Sequence, residues 1–151
     1  MKRIKLLFVF LSVLFMTVSC SDFLGNQMKD SNLYGKWKVA ECTYSTYENG
    51  QIVESKTDYY ADYNEFYQFN SDGTGQYVYT EGNDSEVEII KSWIILDDSL
   101  VISFKDDDYD YTIKFKINYM NRSDLQISST EEETYNGKKR VYEEKFTLHK
   151  I

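Results

Sequence analysis

Apolar and polar residues alternate with a period of two through nearly all of the chain after Leu33. In a strand that period gathers the apolar side chains on one face. The cleanest run is Tyr111, Ile113, Phe115, Ile117 and Tyr119, interleaved with Thr112, Lys114, Lys116 and Asn118. The first run opens at Gly35 with Trp37 and Val39 and continues through Cys42 and Tyr44 to about Tyr47. Further runs are Glu65 to Phe69, Thr74 to Thr80 with Tyr77 and Tyr79 on one face, Leu100 to Phe104, the pair Leu125 and Ile127, and Val141 to His149 with Tyr142, Phe146 and Leu148 together. Val87 to Leu96 is apolar on both faces, Ile90, Ile94 and Leu96 against Ile89, Trp93 and Ile95, which predicts cover on both sides or a partner. Gln51 to Tyr60 is weaker and reads as a long loop or a lid strand.

Turn signals separate the runs. They include Asn49-Gly50, Asn70-Ser71-Asp72-Gly73, Gly82-Asn83-Asp84, Asp97-Asp98, Asn121-Arg122-Ser123 and Asn136-Gly137. No long stretch with a 3.6-residue period follows residue 33. The pattern predicts an all-β fold, an eight- to nine-stranded antiparallel up-and-down barrel, with a β-sandwich as the alternative. Sequential hairpins favour the barrel, because sandwiches usually need Greek-key crossings. The chain has no proline, so nothing forbids ladder bonding in any strand. Trp37 is expected to be buried as a plug at one end, with Gly35 permitting close backbone approach beside it.

The first residues do not follow this pattern. Lys2, Arg3 and Lys5 precede a mostly apolar stretch from Leu6 to Val18, and Ser19 precedes Cys20. A charged start, a short apolar core and a small residue before the cut describe a secretory signal peptide. The core is shorter than the roughly 20 residues a membrane span needs. The cysteine just after the cut makes the segment resemble a bacterial lipoprotein signal. That resemblance implies loss of residues 1–19, a diacylglyceryl thioether on Cys20 and acylation of the new terminus, with palmitate-type chains anchoring the protein to a membrane. Residues 20–32 then read as a polar tether, and residues 33–151 as one barrel domain.

The full chain carries 17 basic and 25 acidic residues; without Lys2, Arg3 and Lys5 the basic count is 14 and the net charge −11. Such a surface repels nucleic acid and anionic lipid, so a nucleic-acid partner is excluded. With Cys20 lipidated, Cys42 has no disulfide partner and reads as a small buried hydrophobe. Fourteen Tyr, nine Phe and two Trp supply large burial areas, and tyrosine hydroxyls suit a barrel mouth.

Leu33-x-Gly35-x-Trp37, then Phe69-x-Ser71-Asp72-Gly73-Thr74-Gly75, then Trp93-Ile94-Ile95 leading to Leu100-Val101-Ile102, resembles the bacterial lipocalin-like lipoproteins. Tyr111-Thr112-Ile113 and Leu125-Gln126-Ile127 fall where that family has its last strands. The resemblance implies a lipid-anchored calyx of the cell envelope, at the outer membrane, holding a small apolar or amphipathic ligand in a narrow interior. The interior residues expected to meet the ligand are Trp37, Phe69, Tyr79, Tyr111, Phe115, Tyr119 and Phe146, with Tyr79 and Tyr119 offering hydroxyls at the mouth. Arg140 is the candidate for the arginine that packs on the tryptophan in that superfamily. The alternative is a non-catalytic interaction module with a filled interior and an envelope protein as partner.

Nothing in the sequence points to catalysis or to a cofactor. One histidine, His149, cannot anchor a usual zinc set and reads as an exposed strand residue. Asp106, Asp107, Asp108 and Asp110 lack the glycine and distal glutamate of a calcium loop, so a solvated turn is expected. Ser71 to Gly75 is followed by no helix that could hold phosphate and reads as a hairpin turn. No nucleophile-elbow motif occurs.

Overall fold

The computed structural model describes residues 31–60, 64–82, 84–105 and 109–151. Cys20, residues 1–30 and the run Asp106 to Asp108 lie outside these. Among the described residues nine antiparallel strands form one sheet: β1 (Gly35–Glu48), β2 (Gln51–Tyr59), β3 (Phe66–Phe69), β4 (Gly75–Glu81), β5 (Asp84–Leu96), β6 (Ser99–Lys105), β7 (Tyr111–Met120), β8 (Asp124–Tyr135) and β9 (Lys138–Lys150). Among the described residues there is no helix.

The strand order is β2-β1-β3-β4-β5-β6-β7-β8-β9, and β1 also pairs with β9. That last pairing closes a ring of eight strands, a closure a sandwich lacks. The fold is therefore an all-β antiparallel barrel with one additional strand. The weak segment at Gln51 is that strand, not a loop. Its side chains are mostly exposed, which explains its faint alternation. Asn49 and Gly50 have φ of 50° and 79°, and Asn136 and Gly137 have 51° and 74°. Positive φ at both central residues matches the right-handed strand twist and fixes both hairpins.

The barrel is not equally closed along its length. β1 pairs with β3 only from Gly35↔Phe69 to Lys38↔Phe66. From Glu41 onward β1 pairs with β2 on that side instead. On the other side, β7 pairs with β8 from Lys116↔Ser128 to Met120↔Leu125, and no further. Beyond Ser128, β8 bonds only to β9, down to Tyr135↔Lys138. The strands thus form a complete ring at one end and part into two sheets at the other, β2-β1-β9-β8 facing β3 to β7.

At the ringed end the core is dense and apolar. Trp37 is fully buried and its indole N–H donates to Leu33 O at 2.7 Å. The turn after β3 lies over Trp93: Gly73 O accepts from Trp93 N at 2.8 Å, and Thr74 O accepts from its indole N–H at 3.0 Å. Leu33, Val39, Phe69, Ile90, Leu100, Ile102, Leu125 and Leu148 complete this cluster. Burying that much apolar surface at ~25 cal/mol per Å2 is the main stabilising term.

Three expectations need correction. Gly35 has φ of 116°, and a Cβ there would meet Lys150 Cε at 2.9 Å, so the close approach is by a side chain and not by backbone. Arg140 does not pack on Trp37. It lies at the far end of the β1–β9 ladder with its Nε 2.7 Å from Glu48 Oε1, while Lys150 Nζ sits 5.0 Å from the Trp37 ring centroid. In β5 a register shift between Ile90 and Ser92 changes the facing. Ile90, Trp93 and Ile95 point inward together, and Ile94 and Leu96 do not. A bulge adds one residue to a strand and so breaks strict alternation. Cover on both sides of β5 is absent too, since Val87 and Ile89 remain 53% and 48% exposed.

Candidate functional site

The parted end carries the unusual chemistry. Alternation from Tyr67 and Phe69, which are buried, places Glu65 on the inward face of the same chain segment. Its carboxyl is buried, 4% exposed, and Oε1 accepts from the Tyr77 hydroxyl at 2.9 Å. The main chain holds it there, since Val39 N donates to Glu65 O at 2.9 Å. Burial pushes the Glu65 carboxyl above the ordinary range, and the Tyr77 bond offsets part of that.

Around Glu65 stand tyrosines from several strands. The Tyr67 and Tyr77 rings are 4.7 Å apart between centroids. Tyr111 stacks on Phe104 at 5.0 Å and donates to Glu88 Oε2 at 2.7 Å. Glu88 lies opposite Tyr77 in the β4–β5 ladder. The Tyr67 and Tyr77 hydroxyls are pushed up, first by burial and then by neighbours that include both Glu65 and Glu88. Across the sheet, Tyr77 of β4 stands between Tyr67 of β3 and Glu88 of β5.

Further along, the Tyr44 and Tyr60 hydroxyls are 3.4 Å apart. Cys42 is fully buried and free, and burial raises its thiol to about 11, partly offset by Tyr44. Such a thiol is protonated and unreactive at neutral pH. From Tyr44 outward, the inner face of β2-β1-β9-β8 forms an open groove of about 600 Å3. Among the described residues, Glu54, Asp58, Glu131, Glu143 and Glu144 line it against a single lysine, Lys56, which pairs with Asp58 at 2.8 Å.

The residues expected inside the barrel do not form one site. Trp37 and Phe69 belong to the ringed end, where Phe69 meets the Trp93 ring edge-on at 5.5 Å. Phe115 and Phe146 meet edge-on at 6.0 Å in the middle, near Tyr111 along β7. Tyr79 is half-buried on the inward face of β4, opposite Glu86. Tyr119 is misplaced in the sequence reading. A register shift between Ile117 and Tyr119 turns it outward at the ringed end. It is 52% exposed and its hydroxyl accepts from Asn121 Nδ2 at 2.8 Å, so it cannot share a mouth with Tyr79. Glu65, Tyr77 and Glu88 were missed. Glu65 shares parity with Tyr67 and Phe69, and Glu88 with Ile90; an acid on an apolar face was the available signal.

Among the described residues no group of three or more His, Cys, Asp or Glu could hold a metal. His149 is exposed, with Nδ1 2.9 Å from Asp124 Oδ1. Asp110 pairs with Lys91. No family model, no curated protein and no solved structure matches this chain.

Proposed function

We propose that this chain is a lipocalin-like lipoprotein, tethered to the cell envelope through lipid on Cys20, that binds a small amphipathic molecule between the parted sheets of its barrel. The observation that carries this reading is the buried Glu65 carboxyl among inward tyrosines. Burying a carboxyl costs stability that the one Tyr77 hydrogen bond offsets only in part. Such groups concentrate where ligands bind. The apolar residues behind it, Phe104, Phe115 and Phe146, suit the tail of the same molecule. Outer-membrane placement follows from the signal resemblance.

The test is native mass spectrometry of the gently purified protein. A reproducible extra mass that organic extraction removes is the expected result. A bare mass, with no tryptophan emission change across fatty acids and isoprenoids, overturns the carrier reading. The anchor is tested separately: Cys20→Ala is expected to free the protein from carbonate-washed membranes, and retention there overturns it.

A second reading, an interaction module for an envelope protein, is favoured by the exposed Val87 and Ile89 on the outside of β5. Crosslinking from that face to one defined partner would select it.

A further inference from the structure

We infer that the free edge of β2 pairs antiparallel with β2 of a second copy of this chain, Ser55 opposite Ser55, so that Glu54 of each copy meets Lys56 of the other. The pairing does not depend on what the barrel holds.

Among the described residues the parted sheet β2-β1-β9-β8 has two free edges, β2 and the outer half of β8. A free edge is a row of unpaired backbone groups that another strand can bond, and proteins commonly guard it with charge. The outer half of β8 runs from Ser129 to Tyr135 and carries Glu131, Glu132 and Glu133 in succession. Two such edges laid antiparallel about any one of these set acid against acid, which repels a second copy. β2 is not guarded in that way. It bonds to β1 alone, has no proline, and carries charge of both signs in Glu54, Lys56 and Asp58.

The charges select the register. A two-fold axis normal to the sheet opposes residues of the same face, so the residue on the axis fixes every pair. With Glu54 on the axis, Glu54 opposes itself. With Lys56 there, Lys56 opposes itself and Glu54 opposes Asp58. With Thr57 there, Lys56 opposes Asp58, which it already holds within its own chain at 2.8 Å, and only Ser55 to Tyr59 overlap. With Ser55 on the axis the whole strand from Gln51 to Tyr59 overlaps, and Glu54 opposes Lys56 on both sides of the axis.

The two side chains are placed for this. Glu54 and Lys56 lie opposite Thr46 and Tyr44 of β1 and both line the groove, so they share a face. Glu54 has no ion-pair partner among the described residues. The Lys56 side chain is 71% exposed, and an ammonium that holds Asp58 has protons left for a second carboxylate. The register shift opposite Thr46 and Tyr47 leaves Val53 without an opposite residue in β1. That bulge lies just outside Glu54-Ser55-Lys56 and shortens the regular ladder, so a reversible dimer is expected and not an obligate one. The contact is the same patch on both copies and closes on itself. It covers the unguarded edge and leaves the guarded β8 edges outside. The two ringed ends then point in opposite directions along the joined sheet. Residues 20–30 reach at most roughly 40 Å when extended, so both lipid anchors can enter one bilayer when the strands lie along its surface.

The experiment is sedimentation velocity of the full-length protein in a density-matched detergent, at a physiological ionic strength that screens the overall repulsion of two acidic copies but not pairs in contact. A reversible dimer is expected, with a dissociation constant on the order of 10 µM. Lys56→Glu and Glu54→Lys each turn two symmetric attractions into repulsions and are expected to weaken it about tenfold. The double variant Glu54→Lys/Lys56→Glu restores opposite charges across the axis and is expected to return within about threefold of wild type. All these positions are exposed, so the variants should melt like wild type. Under mild oxidation Ser55→Cys is expected to give a covalent dimer joined through the two introduced thiols, identified by peptide mass. Thr134→Cys, exposed on the guarded edge, controls for random collision and is expected to stay unlinked. A dimer indifferent to the single reversals, or not restored by the double one, overturns the inference. So does linkage through Thr134→Cys as ready as through Ser55→Cys. A monomer at every concentration, or a Ser55→Cys thiol that links in native membranes to a different protein and not to itself, overturns the second copy as the occupant.

Discussion

At the ringed end of the barrel the fully buried side chains are apolar, Lys150 covers Trp37 at the rim, and both indole N–H groups reach a loop carbonyl. At the parted end the same alternation turns Glu65, Tyr77, Glu88 and Tyr111 inward, and their hydroxyls and carboxyls bond to each other. The two ends differ in what closes them. β1 completes its ring with β3 only where Gly35 to Lys38 allow it, and β2 then takes over the edge. Where the ring is complete, apolar packing sets stability. Where it opens, polar side chains can be held in fixed positions beside solvent at some cost in stability. Substitutions at the two ends should therefore behave in opposite ways.

The largest effect is expected from placing a charge in the packed part. Phe115 is 3% exposed, and the preceding Lys114 points to water. Phe115→Glu should abolish cooperative folding, since an unpaired buried charge falls in the class of losses above about 4–5 kcal/mol. Lys114→Glu should change the urea midpoint little. Circular dichroism melts of both variants check this, and the reverse ranking would mean the facing of β7 is misread.

Next is Trp37→Ala, which should cost about 3–5 kcal/mol, a large part of the about 5–15 kcal/mol of an ordinary domain. Its counterpart at the open end is Tyr44→Phe. That change removes the hydroxyl's contacts with Tyr60 and Cys42 on a side chain 37% exposed and should cost about 1 kcal/mol. Equal midpoint shifts in chemical denaturation would abolish the distinction between the ends.

Smaller still is Lys150→Met. It keeps the apolar stem near Gly35 and removes the charge that sits over Trp37 and donates to Asn32 O at 2.9 Å. A loss of about 0.5–1 kcal/mol is expected for a cation over an aromatic ring at a partly exposed position. No shift would leave the tryptophan held by packing and Leu33 alone.

How much of this could be read from the residues follows the same division. Alternation revealed the strands, and two Asn-Gly pairs revealed the hairpins that end the parted sheet, because both are local properties. The bulges at Ala40, Lys91 and Asn118 are not local. Each shifts parity by one, which is why Tyr119 was read inward and Ile94 was grouped with Ile90. β2 was faint because an edge strand with few buried residues has little alternation to show. Glu65 was legible by parity but was overlooked, since a single acid in an aromatic run resembles a solvent-facing position until the ring closes over it. Its partners Tyr77 and Glu88 come from strands that only the ladder brings opposite one another.

The smallest effect discriminates best between the two ends, and it concerns Glu65→Gln. Burial raises the folded-state pKa of Glu65 above its ordinary 4.5, so over an interval above that value the native chain keeps a proton the unfolded chain has released. The unfolded state then binds fewer protons, and stability falls as pH rises through the folded pKa. Glu48 and Asp124 act in the other direction, Glu48 held low first by Arg140 and Asp124 first by Ser123, and their contribution is lost as pH falls. Both are shared by wild type and variant, so the difference between the two stability curves isolates Glu65. Gln keeps an oxygen for the Tyr77 hydroxyl and cannot ionise. Near pH 4 the two proteins should have nearly equal urea midpoints. As pH rises above 4.5 the wild type should fall progressively below Glu65→Gln. A variant less stable than wild type at pH 7, or a difference that does not change with pH, would mean that the carboxylate is well solvated or paired in the native barrel. The parted end would then be ordinary surface rather than a site held at a cost to the fold.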